Sequence, residues 1–504
     1  MTFAATNLAG WNMPIGPLDS AVICAYLAAV LGLGLWVGRG QKTASDFFLG
    51  GRTLPGWAIL LSIVATETST VTFLSIPGLA FAAHGNMTFL QITFGYIVGR
   101  IGAAILLLPL YFRGEPFTAY EVLQQRFGRT SRQVASALFL ATRNVSDALR
   151  LYLTAIALRE AIQLNFAACV LIIGVVTIAY TYFGGVKSVI WNDCLQFVVY
   201  VTGGVAALLV IVHRLPGGWS QMWSFADSTG RLQVLDFNPS LTTGGMTFWG
   251  GLIGGGFLTA ATHGVDQLTV QRLLSARSKS SARTALIASG LVVCAQFALF
   301  LIIGAALACF YAEFPAGSAA FADHNDRVFS HFIVHQLPVG LMGLTLAAVF
   351  AAAMSTLSSS LNSSATALAN DLLPQLATAD AHSQLRAGRL LTIMFGILQV
   401  AGALVADAAG ITDSVVGSVL SIASFAWGPL LGLYLLGVLA KTVREKSALL
   451  GFAVGVALLT IVARMTKVDW PWYAAIGAVI TFVAGLCFQR FLSDPNDETV
   501  AENS

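Results

Sequence analysis

The sequence predicts an all-α polytopic membrane protein, and three observations carry that prediction. Hydrophobic residues make up 56% of the 504-residue chain and charged residues only 10%, with a mean hydropathy of +0.77. Soluble domains carry about 25% charged residues. Long apolar runs recur from residue 19 to residue 492, which leaves no length for a large soluble domain. The basic residues, in a chain of net charge +3, gather in alternate short loops, so they report topology rather than affinity for nucleic acid.

A spanning helix needs about 20 mostly apolar residues. About thirteen stretches qualify, at roughly 19–38, 55–82, 89–112, 133–161, 166–183, 188–213, 246–262, 284–312, 339–370, 387–407, 410–438, 447–465 and 471–489. With the N-terminus outside, the inside loops hold eighteen Lys and Arg residues, Arg272 counted among them, and the outside segments hold six. A bias sustained loop after loop supports the odd span count, an outside N-terminus and a cytoplasmic C-terminus. The six cysteines (Cys24, Cys169, Cys194, Cys294, Cys309 and Cys487) lie in apolar runs without a C-x-x-C pair, and read as small buried hydrophobes. The short N-terminus lacks the basic start of a cleavable signal peptide, and the cell (inner) membrane of a bacterial source is the expected location.

Two spans read as broken. The run 55–82 contains Ala65-Thr-Glu-Thr-Ser-Thr70, and the run 246–262 contains Gly250-Gly-Leu-Ile-Gly-Gly-Gly256. Glycine weakens a helix and frees backbone groups. With the first span set aside, the two breaks open two successive five-helix sets, and paired interruptions of this kind point to an inverted-repeat transporter site. The other reading of the glycines is close helix packing.

The run Leu341–Ala353 continues into a stretch in which eight of the twelve residues from Ser355 to Thr366 carry a hydroxyl. A helix in lipid satisfies its own backbone, but each hydroxyl still needs a partner. Neutral oxygens concentrated on one buried helix suit a hard, weakly held cation such as sodium, while interhelical hydrogen bonding is the plainer use for them.

Three motifs in order resemble the sodium:solute symporter family: Thr181-Tyr-Phe-Gly-Gly-Val-Lys-Ser-Val-Ile-Trp-Asn-Asp-Cys-Leu-Gln196, Asp266-Gln-Leu-Thr-Val-Gln-Arg272, and the serine run ending in Leu-Asn-Ser-Ser-Ala-Thr. Asp46-Phe-Phe-Leu-Gly-Gly-Arg52 and Thr72-Phe-Leu-Ser-Ile-Pro-Gly78 add to the resemblance, which runs from about residue 20 to 440. It implies a ten-helix, 5+5 inverted-repeat core with alternating access, one extra N-terminal helix and two extra C-terminal helices. The chain then divides into 1–53 (extra helix and loop), 54–213 (first repeat), 214–438 (second repeat) and 439–504 (C-terminal helices and tail).

The resemblance implies sodium as coupling ion. Matched residue by residue, one ion would take the carbonyls of Ala65, Thr68 and Ala352 and the hydroxyls of Ser355 and Thr356. A second would lie among Asp193, Ser355, Ser358 and Ser359; the three serines share one helical face, and Asp193 matches an acid that faces them in two-sodium members. A lone acid in a span is costly unless paired, and a bound cation is one partner for it; a proton on Asp193 is the rival.

The substrate belongs beside the first break. Ser69 and Thr72 offer hydroxyls there, and Gln91 matches a position family members use for substrate. Thr262-His263 stands where sodium–sugar members carry a tyrosine gate, which argues against a galactose or glucose site. Arg143, Asp147 and Arg150 share one face deep in an apolar span, so two cations meet one anion. Arginine grips carboxylates bidentately, which favours a carboxylate-bearing solute (sialic acid, monocarboxylate or amino acid-like); a structural triad is the other reading. Arg100 reads as structural. Glu67, inside the break, has three roles open to it: tuning the sodium site, taking a proton, or pairing with an arginine. Ser421 and Ser424 would close the site from outside or simply pack.

The function these readings converge on is sodium-coupled symport of a small organic solute with one or two ions per cycle. The alternatives are an uncoupled or proton-coupled facilitator and a sugar symporter. Neither a metalloprotease, nucleophile-elbow nor P-loop motif occurs, so the chain does not read as an enzyme or ATP-driven pump. The expected partners are the solute, sodium and the lipid bilayer, with no nucleic acid and no obligatory protein.

Overall fold

The computed structural model describes residues 15–492 apart from 115, 163, 243–245, 316–324, 378 and 412–426. Among the described residues the chain is helical and has no strand. Its helices are α1 (Pro17–Val37), α2 (Ala44–Leu49), α3 (Gly56–Glu67), α4 (Thr70–Phe81), α5 (Ile92–Leu106), α6 (Leu108–Tyr111), α7 (Glu121–Arg126), α8 (Arg129–Ile162), α9 (Phe166–Arg214) and α10 (Gly218–Ser228). The second half adds α11 (Gly255–Gly264), α12 (Gln267–Leu274), α13 (Lys279–Glu313), α14 (Val328–Gln336), α15 (Leu341–Ala367), α16 (Pro374–Ala377), α17 (Ala381–Ala408), α18 (Trp427–Leu439), α19 (Glu445–Met465) and α20 (Tyr473–Leu492).

Among the described residues eight helices are long and apolar enough to cross a membrane, or nine when α3 and α4 count as one bent span. Four expected spans fall outside that number, each for a physical reason. α8 has the length but carries Arg143, Asp147 and Arg150 at its middle. The helix around α11 is short, and the stretch before α18 lies partly outside the described residues. The fourth is the second half of α9. At 49 residues, a straight helix would run about 74 Å, more than twice the hydrocarbon core. Gly185, at φ +51° and ψ −153°, breaks it. Tyr180 donates to the Met354 carbonyl at 3.1 Å and Ser355 donates to Asp193 at 2.6 Å. Tyr180 and Asp193 would stand about 20 Å apart on a straight helix, yet they touch adjacent residues of α15, so the chain folds back at Gly185. Only a residue without Cβ takes this conformation cheaply.

The polar interruption at 65–70 is a true break. α3 stops at Glu67, Thr68 and Ser69 are extended, and α4 restarts with the Ser69 hydroxyl accepting from the Thr72 N–H at 3.3 Å. The two halves meet at 62°. The glycine run corrects the expectation made of it. Gly250–Gly254 form a π-type turn with helical dihedrals that runs directly into α11. An added Cβ on Gly95 would lie 2.1 Å from the Gly251 carbonyl, and one on Gly99 2.1 Å from that of Gly256. The glycines therefore bring α11 against α5 at backbone contact, and only the first of the two expected breaks unwinds its helix.

The cysteines correct a second expectation. All six are free, but Cys24 and Cys487 are exposed on the outer face of the bundle and Cys294 is half-buried; Cys169, Cys194 and Cys309 are buried. The core is centred on α15. Some 83% of its most apolar window is buried, against 17% for α1, so the hydroxyl-rich helix is the most enclosed span and α1 a peripheral one.

Candidate functional site

The end of α3 faces the hydroxyl run of α15. A helix that stops leaves its last carbonyls without intrahelical donors. Here the Thr66 carbonyl is reached by the Thr356 hydroxyl at 3.2 Å, and that hydroxyl also lies 3.4 Å from the Ala352 carbonyl. Ala65, Thr68, Ala352 and Ser355 are fully enclosed and Thr356 nearly so. The Thr68 side chain turns away from α15, donating to the Val64 carbonyl and accepting from Gln296 of α13 at 2.5 Å. Thr356 and Ala352 of α15 thus meet the end of α3 at the Thr66 carbonyl, and Ala65 and Thr68 lie enclosed at the same break.

Asp193 is not the lone acid that the sequence suggested. Its Oδ1 accepts from Ser355 at 2.6 Å, and its Oδ2 accepts from Ser62 at 2.5 Å and from Arg272 Nη2 at 3.1 Å. Arg272 is 2% exposed, which corrects its counting as an inside-loop cation. The same Nη2 donates to the Thr66 hydroxyl at 2.6 Å and to the Ser359 hydroxyl, while Nε donates to Ser62 at 2.8 Å. Ser358 and Ser359 both donate to the Ser355 carbonyl, at 3.1 and 2.6 Å, which turns their lone pairs outward. Asp193, Ser355 and Ser359 are therefore together, with a guanidinium already among them.

The motif that supplies Arg272 explains itself in the structure. Asp266 caps α12 by accepting from the Leu268 N–H at 3.1 Å. Gln267 accepts from the Ala119 N–H at 2.7 Å, and Gln271 donates to Asn362 and Thr366 of α15, both at 2.7 Å. α12 is thereby pinned along the lower serine run. Ser360 accepts from Gln399 at 3.0 Å and Ser364 from Asn144 at 3.3 Å, and Ser363 bonds the Ser360 carbonyl. The hydroxyls beyond Ser359 are interhelical and local packing bonds.

A cavity of about 340 Å³ lies beside the break, lined by Thr66, Glu67, Tyr96, Arg143, Arg150, Thr262, His263, Asp266 and Arg272 among others. Arg143 Nε bonds Asp147 Oδ2 at 2.5 Å and Arg150 Nη1 meets Asp147 Oδ1 at 3.5 Å. The triad exists, and it leaves Arg143 Nη2 buried without a hydrogen-bond partner. Glu67 takes the third of its open roles: it pairs with the fully buried Arg100, which also donates to Ser289 at 2.6 Å. His263 Nε2 lies 3.6 Å from the same Glu67 oxygen.

The remaining substrate candidates make contacts of their own. Gln91 is fully buried, and its amide donates to the carbonyls of Thr88 at 3.1 Å and Met246 at 2.9 Å and accepts from the Asp236 N–H at 2.9 Å. Its polar atoms are spent on backbone groups of Thr88, Met246 and Asp236. Ser69 and Thr72 meet each other at 3.2 Å as the cap of α4, and Ser69 borders a small space with Asp147, Arg150 and Thr356. Ser421 and Ser424 lie outside the described residues.

The model of the sodium:solute symporter family matches residues 47–455. The sodium/sialic acid symporter NanT of Aliivibrio fischeri is 30% identical over 503 residues, covering 97% of this chain and 96% of its own. The sodium/sialic acid symporter SiaT of Proteus mirabilis is 31% identical, covering 93% and 94%. The human sodium/iodide cotransporter is 30% identical over 90% of this chain and 71% of its own length. A solved substrate-bound, outward-open state of a Na+-coupled sialic acid symporter, described as having a novel Na+ site, superposes with a TM-score of 0.85 at 29% identity over 95% of this chain and 98% of that one.

Proposed function

The chain belongs to the sodium:solute symporter family, a sodium-coupled carrier of small solutes in a multi-pass membrane protein, and we propose that its own solute bears a carboxylate. One observation carries this: Arg143 Nη2 is buried, without a hydrogen-bond partner, on a side chain that lines the 340 Å³ cavity next to the break. A buried unsatisfied donor is expensive, and a carboxylate is the group a guanidinium fork fits best. Sialic acid, the solute of the two bacterial relatives, is one such acid; monocarboxylates and amino acid-like solutes are others.

The sodium sites are proposed as the sequence suggested. One ion takes the carbonyls of Ala65, Thr68 and Ala352 with the hydroxyls of Ser355 and Thr356. A second takes Asp193, Ser355, Ser358 and Ser359. The ion holds α3 to α15, solute completes the closed core, and opening to the other side releases both. Such coupling requires each ligand to prefer different states.

The finer architecture belongs to the same proposal. Counting α8, the two halves of α9, the helix around α11 and the span ending in α18 gives thirteen, arranged as a 5+5 inverted repeat between one extra N-terminal helix and two C-terminal ones, with divisions after residues 53, 213 and 438. The N-terminus lies outside and the C-terminus in the cytoplasm of a bacterial inner membrane, as the charge bias supports. Gln91, which the sequence offered as a substrate contact, is left out; Ser69, which borders the space beside Asp147 and Arg150, and its partner Thr72 are kept as proposed contacts.

The test is a thermal-shift screen of small acids with and without sodium. A carboxylate that stabilises the purified protein only when sodium is present supports the proposal, and the same compound should then drive sodium-dependent uptake in proteoliposomes. Stabilisation confined to uncharged solutes would defeat it.

A further inference from the structure

Arg272 engages the same oxygens that the second ion needs. Its guanidinium meets Asp193 Oδ2, the Ser359 hydroxyl, the Thr66 hydroxyl and the Ser62 hydroxyl, and its remaining Nη1 is tied to the Leu268 carbonyl of its own helix at 2.6 Å. Asp193 and Ser359 are two of the four residues proposed to hold sodium. Asp193 is fully buried and Arg272 nearly so. One carboxylate offsets one charge. A sodium ion added beside an unmoved guanidinium would leave a surplus positive charge in an enclosed, low-dielectric place, which is costly. Arg143, in the same cavity wall, adds to that repulsion, and Asp266 opposes it from the start of α12.

Arg272 is carried by an element that supplies no ligand. The proposed ligands come from α9 and α15, whereas Arg272 sits on the eight-residue α12, which follows α11 in the chain and packs along α15. Because the guanidinium and the proposed ligands lie on different elements, its withdrawal would leave the ion's own shell in place.

We propose that Arg272 is a tethered counter-cation that exchanges with sodium on Asp193, so that the ion binds as the guanidinium withdraws and leaves as it returns. The exchange rests on the second sodium site proposed above and adds to it a device for release. An ion leaving a buried carboxylate would strand an unpaired charge, and Arg272 removes that barrier by taking the vacated oxygens. It is a positioning residue: it acts on the ion through Asp193 and Ser359, from the wall of the cavity.

The experiment is a sodium titration of the purified full-length protein, with choline replacing sodium to hold ionic strength, read as the thermal unfolding midpoint. Removing a competitor tightens binding, so Arg272→Gln should lower half-saturating sodium by roughly 5-fold or more, the low end of ordinary coupling between sites. Its uptake in proteoliposomes should slow because release is impaired. Arg272→Lys, a weaker competitor without the planar fork, should shift half-saturation in the same direction by less. A guanidinium salt added to Arg272→Gln should restore the wild-type sodium requirement. A Gln variant that folds only in sodium also supports the exchange, since sodium then replaces the missing cation. Half-saturation that is unchanged or higher in the Gln variant, or in the Lys variant should the Gln variant fold under neither condition, overturns it. Asp193→Asn separates the two ideas. If that variant loses one of two ions while the Arg272 variants bind sodium as wild type does, the exchange alone fails. If wild type binds one ion and Asp193→Asn changes nothing, the second site fails.

Discussion

At the scale of single residues, the sodium-site proposal stands on contacts that side-chain truncation removes cleanly. Thr356 bridges α15 to the freed carbonyl of Thr66, and Ser355 bonds Asp193. Each hydroxyl given to a cation is worth about 1.5–3 kcal/mol, as hydrogen bonds to charged groups are. Ser355→Ala with Thr356→Ala should therefore raise half-saturating sodium about a hundredfold or more, with tenfold equal to about 1.4 kcal/mol. Sodium-dependent uptake measured across sodium concentrations checks it, and an unshifted curve removes these hydroxyls from the site. Glu67 and Arg100 make a different residue-scale prediction. Arg100 is fully buried, so Glu67→Gln leaves a buried cation without its carboxylate, with the Ser289 hydroxyl and the Tyr96 ring beside it. Breaking one side of a buried pair costs about 3–5 kcal/mol, whereas replacing both sides with neutral groups is often tolerated. Glu67→Gln should lower the melting temperature more than the double variant Glu67→Gln with Arg100→Met.

At the scale of elements, the contact of α5 with the turn before α11 is where sequence and structure part. A methyl on Gly95 or Gly99 would fall 2.1 Å from a backbone carbonyl, which cannot move aside as a side chain can, while nothing lies within 4 Å of a Cβ on Gly102 of the same helix. Gly99→Ala should cost about 1–3 kcal/mol, as overpacking does. Gly102→Ala should be neutral or stabilising by up to about 1 kcal/mol, because alanine loses less entropy in a helix. Thermal unfolding of the two variants in detergent compares them directly. The glycine run was misread because whether glycines unwind a helix or let another approach depends on the facing helix, far away in sequence. The same non-locality hid Gln91, whose partners are at Met246 and Asp236, and Arg272, whose partners come from α3, α9 and α15. What was legible was local: Ala65–Thr70 as a break, Arg143, Asp147 and Arg150 as one face, and the hydroxyl run as a buried polar helix. The one signal for Arg272 was its motif, in which two amides and a cation follow Asp266 on a helix too short to be a span.

At the scale of the whole molecule, one network ties four helices together at the proposed second ion site. Asp193, Arg272, Ser62, Thr66, Ser355 and Ser359 join α3, α9, α12 and α15, so a cation bound there stabilises the bundle as well as the site. Linkage gives the magnitude. Each ion bound to the folded protein and not the unfolded one adds RT ln(1 + [Na+]/Kd), which above saturation is about 1.4 kcal/mol per tenfold rise in sodium. Two ions give about twice that slope. The unfolding midpoint of wild type plotted against the logarithm of sodium, at constant ionic strength, should rise with a limiting slope near twice that of Asp193→Asn, which keeps the first site and loses the second. Ser355 belongs to both proposed sites, so Ser355→Ala should flatten the curve further than Asp193→Asn. Equal slopes in wild type and Asp193→Asn would mean that one ion is bound and that Arg272 is the permanent partner of Asp193; a doubled slope would mean that a second ion reaches that carboxylate, and the Arg272 variants then decide whether it displaces the guanidinium.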